Sequence, residues 1–383
     1  MLNGLLFIYV CEGYFRIVAR YKQRKVAPVT IHLGSIMELE INRHIATERR
    51  KIWASIKDLK LIYLDVNFWI RLRDEDLNRH KDQSFLNLAR ELVKTKKCLF
   101  PISEITFWEV LKQHDDKTVK TTLDLIEELS GGVSLILEAE RRMFEFSHFY
   151  RAKSEQDVYE LQELVWESLP ISLGYKYLFS IQDLKGQKSF YDLLKTVKLV
   201  ELVNILDQNR IRKPFKHKDD IEKLNLNKEK FKNDYRSFKQ LFEIELKGFI
   251  DLHKNSIMES IWFLNNNNSN YLSDEKIENE ADIYINELCT GIANGQISKE
   301  LPYYRIIPAL HSMVRWNKEQ KFEENHSMDF LHASFALPYC DFFFTERQLC
   351  TMIIQLKLDT LYSCKIHKNI ATIIVELKNI KSL

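Results

Sequence analysis

Short runs of consecutive apolar residues alternate with amphipathic segments in the first third of the chain. Residues 61–64, 98–100 and 133–137 are such runs, and the first of them ends at Asp65. Runs this short, bounded by polar, proline or glycine residues, are typical of buried parallel strands. The segments between them have helical spacing, which predicts helices at 38–57, 67–72, 84–96, 103–113 and 118–129.

The pattern changes after residue 137 and changes back near the C-terminus. Residues 138–300 have an almost wholly helical period, with no convincing strand. Strand-like runs return at 341–344 and 361–366, among helices predicted at 328–337, where Pro338 stops the helix, and at 346–356 and 370–378. Strands alternating with helices on both sides of a helical block imply an α/β fold.

These changes divide the chain into four parts. Residues 1–57 form an N-terminal helical accessory segment and 58–137 the first part of an α/β domain. Residues 138–324 form a large all-helical insertion, and 325–383 complete the domain. We therefore expect one parallel sheet, flanked by helices, to be built from both ends of the chain.

Composition excludes some classes of protein without selecting one. A hydrophobic content of 45% excludes global disorder, and only 10 glycines and 7 prolines argue against an all-β fold. The formal net charge of +2 does not by itself identify a nucleic-acid binder. The six cysteines form no C-x-x-C pair and have no histidine partners at zinc-finger spacing, so we expect reduced core residues.

The N-terminal segment is apolar but is interrupted by Glu12 and Arg16. Its uninterrupted run is shorter than the roughly 20 residues that a membrane-spanning helix needs. No basic leader precedes it, which argues against a secretion signal. We expect a buried helix or strand there, or a natural start at Met37, and a cytoplasmic protein with no membrane partner.

Four acidic residues follow strands or precede them at one predicted edge of the sheet. Asp65 ends the first run, Glu109 lies in the helix after the second, Asp329 begins the helix before a later strand, and Glu346 follows that strand. Ligand sites of open α/β sheets lie at the carboxyl ends of the strands. Carboxylates sharing a cleft repel each other unless a cation is present, and oxygen ligands suit Mg²⁺ or Mn²⁺. The pattern predicts a metal site there.

Three segments resemble the PIN-domain nucleases. They are IYLDVN at 62–67, PISEITFWE at 101–109 and DFLHASFALPYCDFFFTE at 329–346, in the order that the family has them. The resemblance covers residues 58–137 and 325–383, under half of the chain. The chain departs from the usual pattern in having Glu346 where Asp is commoner, which moves the carboxylate outward, and in its long insertion.

The resemblance implies a PIN-like fold and a metal-dependent endoribonuclease that uses Mg²⁺ or Mn²⁺. Carried onto this chain, it implies Asp65, Glu109 and Asp329 as metal ligands, with Glu346 as a further catalytic acid. It also implies RNA as the substrate and a role as a toxin or phage-defence effector, with an inhibitor or operon partner protein.

Four further residues near these acids have both a supporting and a structural interpretation. Asn67 caps the following helix and orders Asp65, while Thr345 either orients a metal-bound water or caps the end of its strand. Asp341 supports the site or makes a structural hydrogen bond at the start of its strand. His332, three residues after Asp329, either contacts substrate or is a satisfied core histidine. Asp65 itself is also a plausible helix cap.

Two alternatives stay open at this stage. The Arg142 to His148 spacing resembles the HEPN ribonucleases, which work without a metal and occur in helical bundles. Alternatively, the chain is a nuclease-inactive scaffold that binds RNA or protein through its insertion. Cleavage that survives EDTA would favour the first, and metal-independent binding without cleavage would favour the second.

A basic stretch at 210–218 generates the first testable prediction. An acidic cleft repels a polyanion unless cations nearby attract it, so we expect Arg210, Arg212, Lys213 and Lys216 to bind the RNA backbone. Neutralising all four should weaken RNA binding and flatten its salt dependence, while cleavage of saturating substrate survives. Filter binding over a salt series measures this, and an unchanged slope would assign the stretch another role.

Overall fold

The computed structural model describes residues 30–113, 115–154, 159–173, 183–205, 218–266 and 273–382. The helices are α1 Thr30–Ile56, α2 Val66–Asp76, α3 Ser84–Lys94, α4 Glu104–Leu111, α5 Asp116–Ser130, α6 Glu138–Lys153, α7 Leu169–Ser172, α8 Leu184–Leu194, α9 Leu199–Ile205, α10 Lys218–Lys230, α11 Phe238–Leu252, α12 Lys254–Asn266, α13 Asp274–Ala293, α14 Pro302–Trp316, α15 His326–Tyr339, α16 Arg347–Gln355, α17 Leu358–Tyr362 and α18 Ile370–Ser382. The strands are β1 Lys60–Leu64, β2 Cys98–Leu99, β3 Val133–Leu135, β4 Trp166–Ser168, β5 Phe342–Phe344 and β6 Lys365–His367.

A four-stranded parallel sheet, ordered β2-β1-β5-β6, is built from both ends of the chain, as predicted. Ile62 pairs with Phe342 and Leu64 with Phe344, so β1 and β5 lie side by side at its centre. Helices make up most of the described chain and flank this small sheet, an arrangement compatible with the predicted α/β class. The helices predicted over residues 38–129 are present with ends that differ by a few residues, α1 being longer at its start.

The side chains of β1 alternate between two hydrophobic cores. Ile62 and Leu64 point into the core formed with α2, α3, α5 and α18, whereas Leu61 and Tyr63 point into the other. The second core also contains Phe242 and residues of α12, α13 and α14. One face of the sheet therefore shares its core with helices of the predicted insertion.

The expectation that residues 138–300 hold no strand was wrong. β4 pairs antiparallel with β3, and a parallel bridge between Ile102 and Ser134 connects this pair to the β2 side of the main sheet. The centre of β4 is Glu167, whose buried carboxylate accepts hydrogen bonds from Arg49 Nε (3.0 Å) and Tyr191 Oη (2.8 Å). A three-residue strand with a charged central residue has no apolar pattern by which the sequence could reveal it. The ion pair between Arg49 and Glu167 holds α1 against β4.

The ends of two C-terminal elements also differ from expectation. Helix α15 continues through Pro338 to Tyr339. Pro338 has no amide hydrogen to donate to the Ser334 carbonyl, and the guanidinium of Arg141 donates to that carbonyl instead. The last strand, predicted at 361–366, is present as β6 but begins only at Lys365, because residues 361 and 362 belong to α17.

A buried polar cluster fixes α15 to the neighbouring helices. Besides the Ser334 carbonyl, Arg141 contacts the Ser334 hydroxyl at 3.0 Å and lies 4.3 Å from the centre of the Phe335 ring. Glu145 accepts from Tyr339 Oη at 2.7 Å and from the Tyr303 amide at 3.0 Å. Removing one member of such a cluster leaves a buried charge unpaired, which typically costs about 3–5 kcal/mol. The helix that carries Asp329 and His332 is therefore firmly placed.

No helix among the described residues is both long and apolar enough to cross a membrane. The N-terminal expectation concerns residues 1–29, which lie outside the described residues. Among the described residues, Cys98, Cys289, Cys340, Cys350 and Cys364 are unpaired thiols, and most of them are buried, as expected for core residues.

Glu104 at the start of α4 couples stability to pH. One carboxylate oxygen accepts from the Glu138 amide at 2.9 Å, and the other is buried with no hydrogen-bond partner among the described residues. Burial raises the pKa of Glu104 to about 8, although the bond from the Glu138 amide opposes the shift. The unfolded chain loses this proton near pH 4.5, so the folded state should lose stability as the pH rises from there towards 8.

Glu104→Gln should remove this pH dependence, since its amide oxygen can still accept the Glu138 bond. We expect the variant to exceed the wild type in Tm by about 2–4 °C near pH 9 and to lose this advantage near pH 5. Thermal unfolding followed by circular dichroism measures the difference. Glu222→Gln, at an exposed position of α10, is the control, and an equal difference at both pH values would contradict the assignment.

Candidate metal centre

Asp65 lies at the carboxyl end of β1 and is 4% exposed. It occupies the N-cap position of α2, but its side chain makes no capping hydrogen bond. Its Oδ2 instead accepts from Thr345 Oγ1 at 3.0 Å, across the β1–β5 pairing. The carboxylate is therefore held by the neighbouring strand and not by the helix that it precedes. Thr345, predicted to orient a water or cap its strand, orients Asp65.

Asn67 is the second residue of α2 and is not its cap, so that part of the expectation was wrong. Its side-chain amide donates to Glu346 Oε1. Glu346 occupies the N-cap position of α16 at the end of β5, where its side chain also makes no capping bond. The amide of Asn67 thus joins the ends of the two central strands at the edge where Asp65 lies.

Glu109 belongs to a hydrogen-bonded series that runs into the core. Its Oε2 bonds His332 Nε2 at 2.8 Å, and His332 Nδ1 bonds Tyr63 Oη at 2.7 Å. Tyr63 Oη in turn bonds Ser103 Oγ at 2.6 Å and Thr106 Oγ1 at 3.1 Å. His332 is only 1% exposed, so both of its ring nitrogens have protein partners in a dry environment. The structural interpretation of this histidine fits these contacts.

Among the described residues, one set of side chains brings three ligand-type atoms together. Asp65, Glu109 and His332 each offer an atom within 4.8 Å of the other two. Two of the three predicted ligands, Asp65 and Glu109, are in this set, but the third position is taken by His332. Asp329 does not form, with Asp65 and Glu109, a set of ligand-type atoms that all lie within 4.8 Å of one another.

Asp329 and Glu346 nevertheless interact with the same cleft. Burial raises the pKa of Asp329 to about 7, the negative charge of Asp65 adds to the shift, and His332 opposes it. Burial also raises the pKa of Glu346, again with a contribution from Asp65. These shifts have the direction expected of carboxylates crowded together without a cation. Four predicted acids therefore share one electrostatic environment.

The ionic state of the Glu109–His332 pair follows from its burial and contact. Burial alone would lower the pKa of His332, but the adjacent Glu109 carboxylate outweighs it and raises the value to about 9. Burial alone would raise the pKa of Glu109, and His332 holds it below its usual value. Without a cation the pair is an imidazolium and a carboxylate at neutral pH.

The residues present fit a divalent cation. Asp65 and Glu109 supply carboxylate oxygens, and His332 an imidazole nitrogen, from three elements that converge at the carboxyl edge of the sheet. In the same cleft, burial and then the charge of Asp65 raise the pKa values of Asp329 and Glu346, and a cation would favour their ionised forms. Carboxylates suit Mg²⁺ and Mn²⁺, and imidazole favours transition ions.

Asp341 does not support this site. Its side chain accepts from Lys60 Nζ at 2.7 Å and from the Leu61 amide at 2.9 Å. These contacts lie at the start of β1, about four residues or roughly 13 Å along the strand from Asp65. The structural interpretation is confirmed, because parallel pairing places the residue before β5 at the opposite edge from the residue after β1.

The predicted RNA-binding residues Arg210, Arg212, Lys213 and Lys216 lie outside the described residues. Lys112, the exposed C-cap residue of α4, lies close enough to Glu109 to lower its pKa. The described part of the cleft is therefore predominantly acidic, with Lys112 as a nearby cation.

The Arg142 and His148 of the HEPN-like spacing are engaged elsewhere. Arg142 is 5% exposed, bonds Glu138 Oε1 at 2.7 Å and packs over the Tyr303 ring. His148 packs against the ring of Tyr159, and burial lowers its pKa. These contacts argue against a cleft formed by the two residues.

His332 was not predicted to be among the ligand-type residues, and Tyr63 was missed. His332 follows Asp329 by three residues, a helical spacing that puts both on one side of α15, and this was the available signal. Tyr63 has the pattern of an apolar strand residue, because nothing local shows that its hydroxyl meets a histidine from far along the chain.

Comparisons of the chain with protein-family models, with curated proteins and with solved structures found no match. The features of the chain that indicate a function are therefore its sequence elements and the chemistry of the site. The relevant observations are the ligand-type set, its place at the carboxyl edge of a parallel sheet and the crowded carboxylates around it.

The crowding of carboxylates generates a prediction about the metal-free protein. Asp329→Asn removes negative charge from a crowded acidic environment, so it should raise the Tm in EDTA near neutral pH. It should also shrink the increase in Tm produced by Mn²⁺, because fewer carboxylates remain to be neutralised. Differential scanning fluorimetry measures both effects.

The matched control is Asp124→Asn, an exposed aspartate on α5. It should change neither the Tm in EDTA nor the response to Mn²⁺. A lower Tm for Asp329→Asn in EDTA would mean that Asp329 has a structural role and is not an acid strained by its neighbours.

Proposed function

We propose that this protein is a divalent-metal-dependent endoribonuclease of the PIN type. The observation that carries the proposal is the set of Asp65, Glu109 and His332 at the carboxyl edge of the parallel sheet, with Asp329 and Glu346 in the same environment. The three sequence elements that resemble PIN nucleases contribute all of these residues. A PIN-like sheet with a helical insertion is part of the proposal.

A divalent ion in such a site would activate water and stabilise the leaving oxygen of a phosphodiester. The chain's own residues supply the rigid frame for it. Thr345 holds Asp65 by a 3.0 Å bond, and His332 bonds Glu109 at 2.8 Å before any ion is bound, so both carboxylates are positioned in the cleft in advance. Glu346, which accepts from the Asn67 amide, lies at the exposed side of the cleft, where a substrate would enter.

The proposed substrate is a polyanion, and the acids of the cleft repel it unless cations lie nearby. Lys112 beside Glu109 and Arg347 directly after Glu346 are exposed cations near the acids. The basic stretch at 210–218 would supply the larger share of phosphate contacts. RNA is the substrate that the family resemblance implies, as it implies a toxin or phage-defence role with an inhibitor or operon partner.

The alternatives differ in what the site must do. A scaffold that binds RNA or protein without cleavage does not require crowded carboxylates, which cost stability without a cation. A metal-independent HEPN-like enzyme would require Arg142 and His148 to face substrate together, and Arg142 is buried against Glu138. The metal-dependent interpretation therefore accounts for more of the observed arrangement.

The test is cleavage of end-labelled single-stranded and structured RNA in Mn²⁺ or Mg²⁺, with DNA of the same sequence in parallel. We expect cleavage of RNA that EDTA abolishes, and a loss of about 10²–10³-fold in rate for Asp65→Asn. Asp65→Asn should retain the wild-type fold by circular dichroism, because an asparagine can still accept the Thr345 bond.

Asp124→Asn is again the control and should cleave as the wild type does. Cleavage in EDTA that is lost in His148→Ala would overturn the proposal in favour of the HEPN-like enzyme. RNA binding without cleavage in any divalent ion would favour the scaffold, and cleavage of DNA alone would change the substrate class.

A further inference from the structure

The third member of the ligand-type set is a histidine, and protein groups contact both sides of its ring. His332 lies on α15 and is buried, and it offers a ligand-type atom within 4.8 Å of those of Asp65 and Glu109. Its Nε2 is 2.8 Å from Glu109 Oε2. On the other side of the ring, Nδ1 meets Tyr63 Oη at 2.7 Å. Tyr63 therefore fixes one side of the ring, and the other side is the one from which an ion shared with the carboxylates would be bound.

We propose that His332 Nε2 is a metal ligand and that the centre is a mixed imidazole–carboxylate site, which selects Mn²⁺ over Mg²⁺. The inference rests on the proposed metal-dependent function and specifies its ion. Mg²⁺ strongly prefers oxygen ligands, whereas imidazole suits ions of the first transition row. An Asp–Glu–His set therefore favours Mn²⁺ among the two ions considered.

The hydrogen bonds around Tyr63 are compatible with this role. Coordination requires Nε2 without its proton, so the ring proton must lie on Nδ1 and be donated to Tyr63 Oη. Tyr63 can accept that bond, because its own hydroxyl proton can be donated to Ser103 Oγ at 2.6 Å. The Thr106 hydroxyl, 3.1 Å from Tyr63 Oη, adds a second partner. Tyr63 is thus a positioning residue that sets the tautomer of His332.

In the absence of a cation, the same histidine donates from Nε2 to Glu109 Oε2. Binding of an ion would replace the Nε2 proton, which leaves to solvent, and the ion would take its place between the two side chains. The rival interpretation is that His332 stays a counter-ion of Glu109 and never binds the metal. The two interpretations predict opposite effects of removing the ring.

The direct test is pulsed electron paramagnetic resonance of Mn²⁺ bound to the full-length wild-type protein. We expect ¹⁴N modulation of the electron spin echo from one directly bound imidazole. Growth with ¹⁵N-labelled histidine should replace the ¹⁴N lines by ¹⁵N lines, which identifies a histidine as their source. Bound Mn²⁺ without nitrogen coupling would overturn the inference, and this result does not depend on any variant.

The variants His332→Gln and Tyr63→Phe assign the coupling and test selectivity. His332→Gln should abolish the modulation and lower the Mn²⁺ affinity by at least about 10–100-fold, with little effect on Mg²⁺. Tyr63→Phe keeps the ring packing and should weaken Mn²⁺ binding by about 10–100-fold while leaving a residual nitrogen signal. If His332 were a counter-ion only, its removal would raise the affinity for both ions.

The matched control is His326→Gln. His326 is also buried on α15, where its ring stacks on Phe330, but it lies outside the ligand-type set. This variant should keep the nitrogen modulation and the preference for Mn²⁺. Mn²⁺ affinity is measured from the signal of the free ion, and Mg²⁺ affinity by its competition with Mn²⁺.

Failure of this inference can be told apart from failure of the proposed function. Nitrogen coupling without RNA cleavage would keep the mixed centre and remove the nuclease. Metal-dependent cleavage without nitrogen coupling would keep the nuclease and overturn His332 as a ligand. Equal affinity of the wild type for Mn²⁺ and Mg²⁺ would overturn the selectivity.

Discussion

The parallel pairing of β1 with β5 is the interaction on which the site depends. It joins residues 62–64 to 342–344, segments from opposite ends of the chain. The Asp65 amide donates to the Phe344 carbonyl at 3.0 Å, directly beyond the paired residues, and the Thr345 hydroxyl then reaches the Asp65 carboxylate. At the other edge, Asp341 accepts from the Leu61 amide and secures the register. A slip of one residue would reverse every side chain of β5 and separate Thr345 from Asp65.

The helical insertion contributes to the site through α15. Arg141 and Glu145 of α6 contact Ser334 and Tyr339, and Glu145 also binds the start of α14 through the Tyr303 amide. These contacts are buried and charged, so they specify one orientation of α15 more strictly than apolar packing alone. The position of His332 relative to Glu109 is therefore determined partly by helices that contribute no ligand.

The sequence was sufficient for features that depend on local pattern. The apolar run before Asp65 predicted β1, and the position of the acids after strands predicted that Asp65 and Glu109 would share an edge, as they do. Features that depend on distant partners were not predictable. β4 has a charged centre that Arg49 satisfies, α15 passes Pro338 because Arg141 replaces the missing partner, and His332 joins the set through Tyr63. In each case the deciding contact is with a residue far away along the chain.

The order in which the chain is synthesised has a consequence for the Thr345–Asp65 contact. Asp65 and Glu109 leave the ribosome more than 200 residues before His332, Thr345 and the whole of β5. Pairing of such distant strands is slow compared with local helix formation. During translation the two acids are therefore exposed without the residues that hold them, and a chain terminated before β5 lacks half of the cleft. Any activity of the site must wait until β5 has been synthesised and has paired with β1.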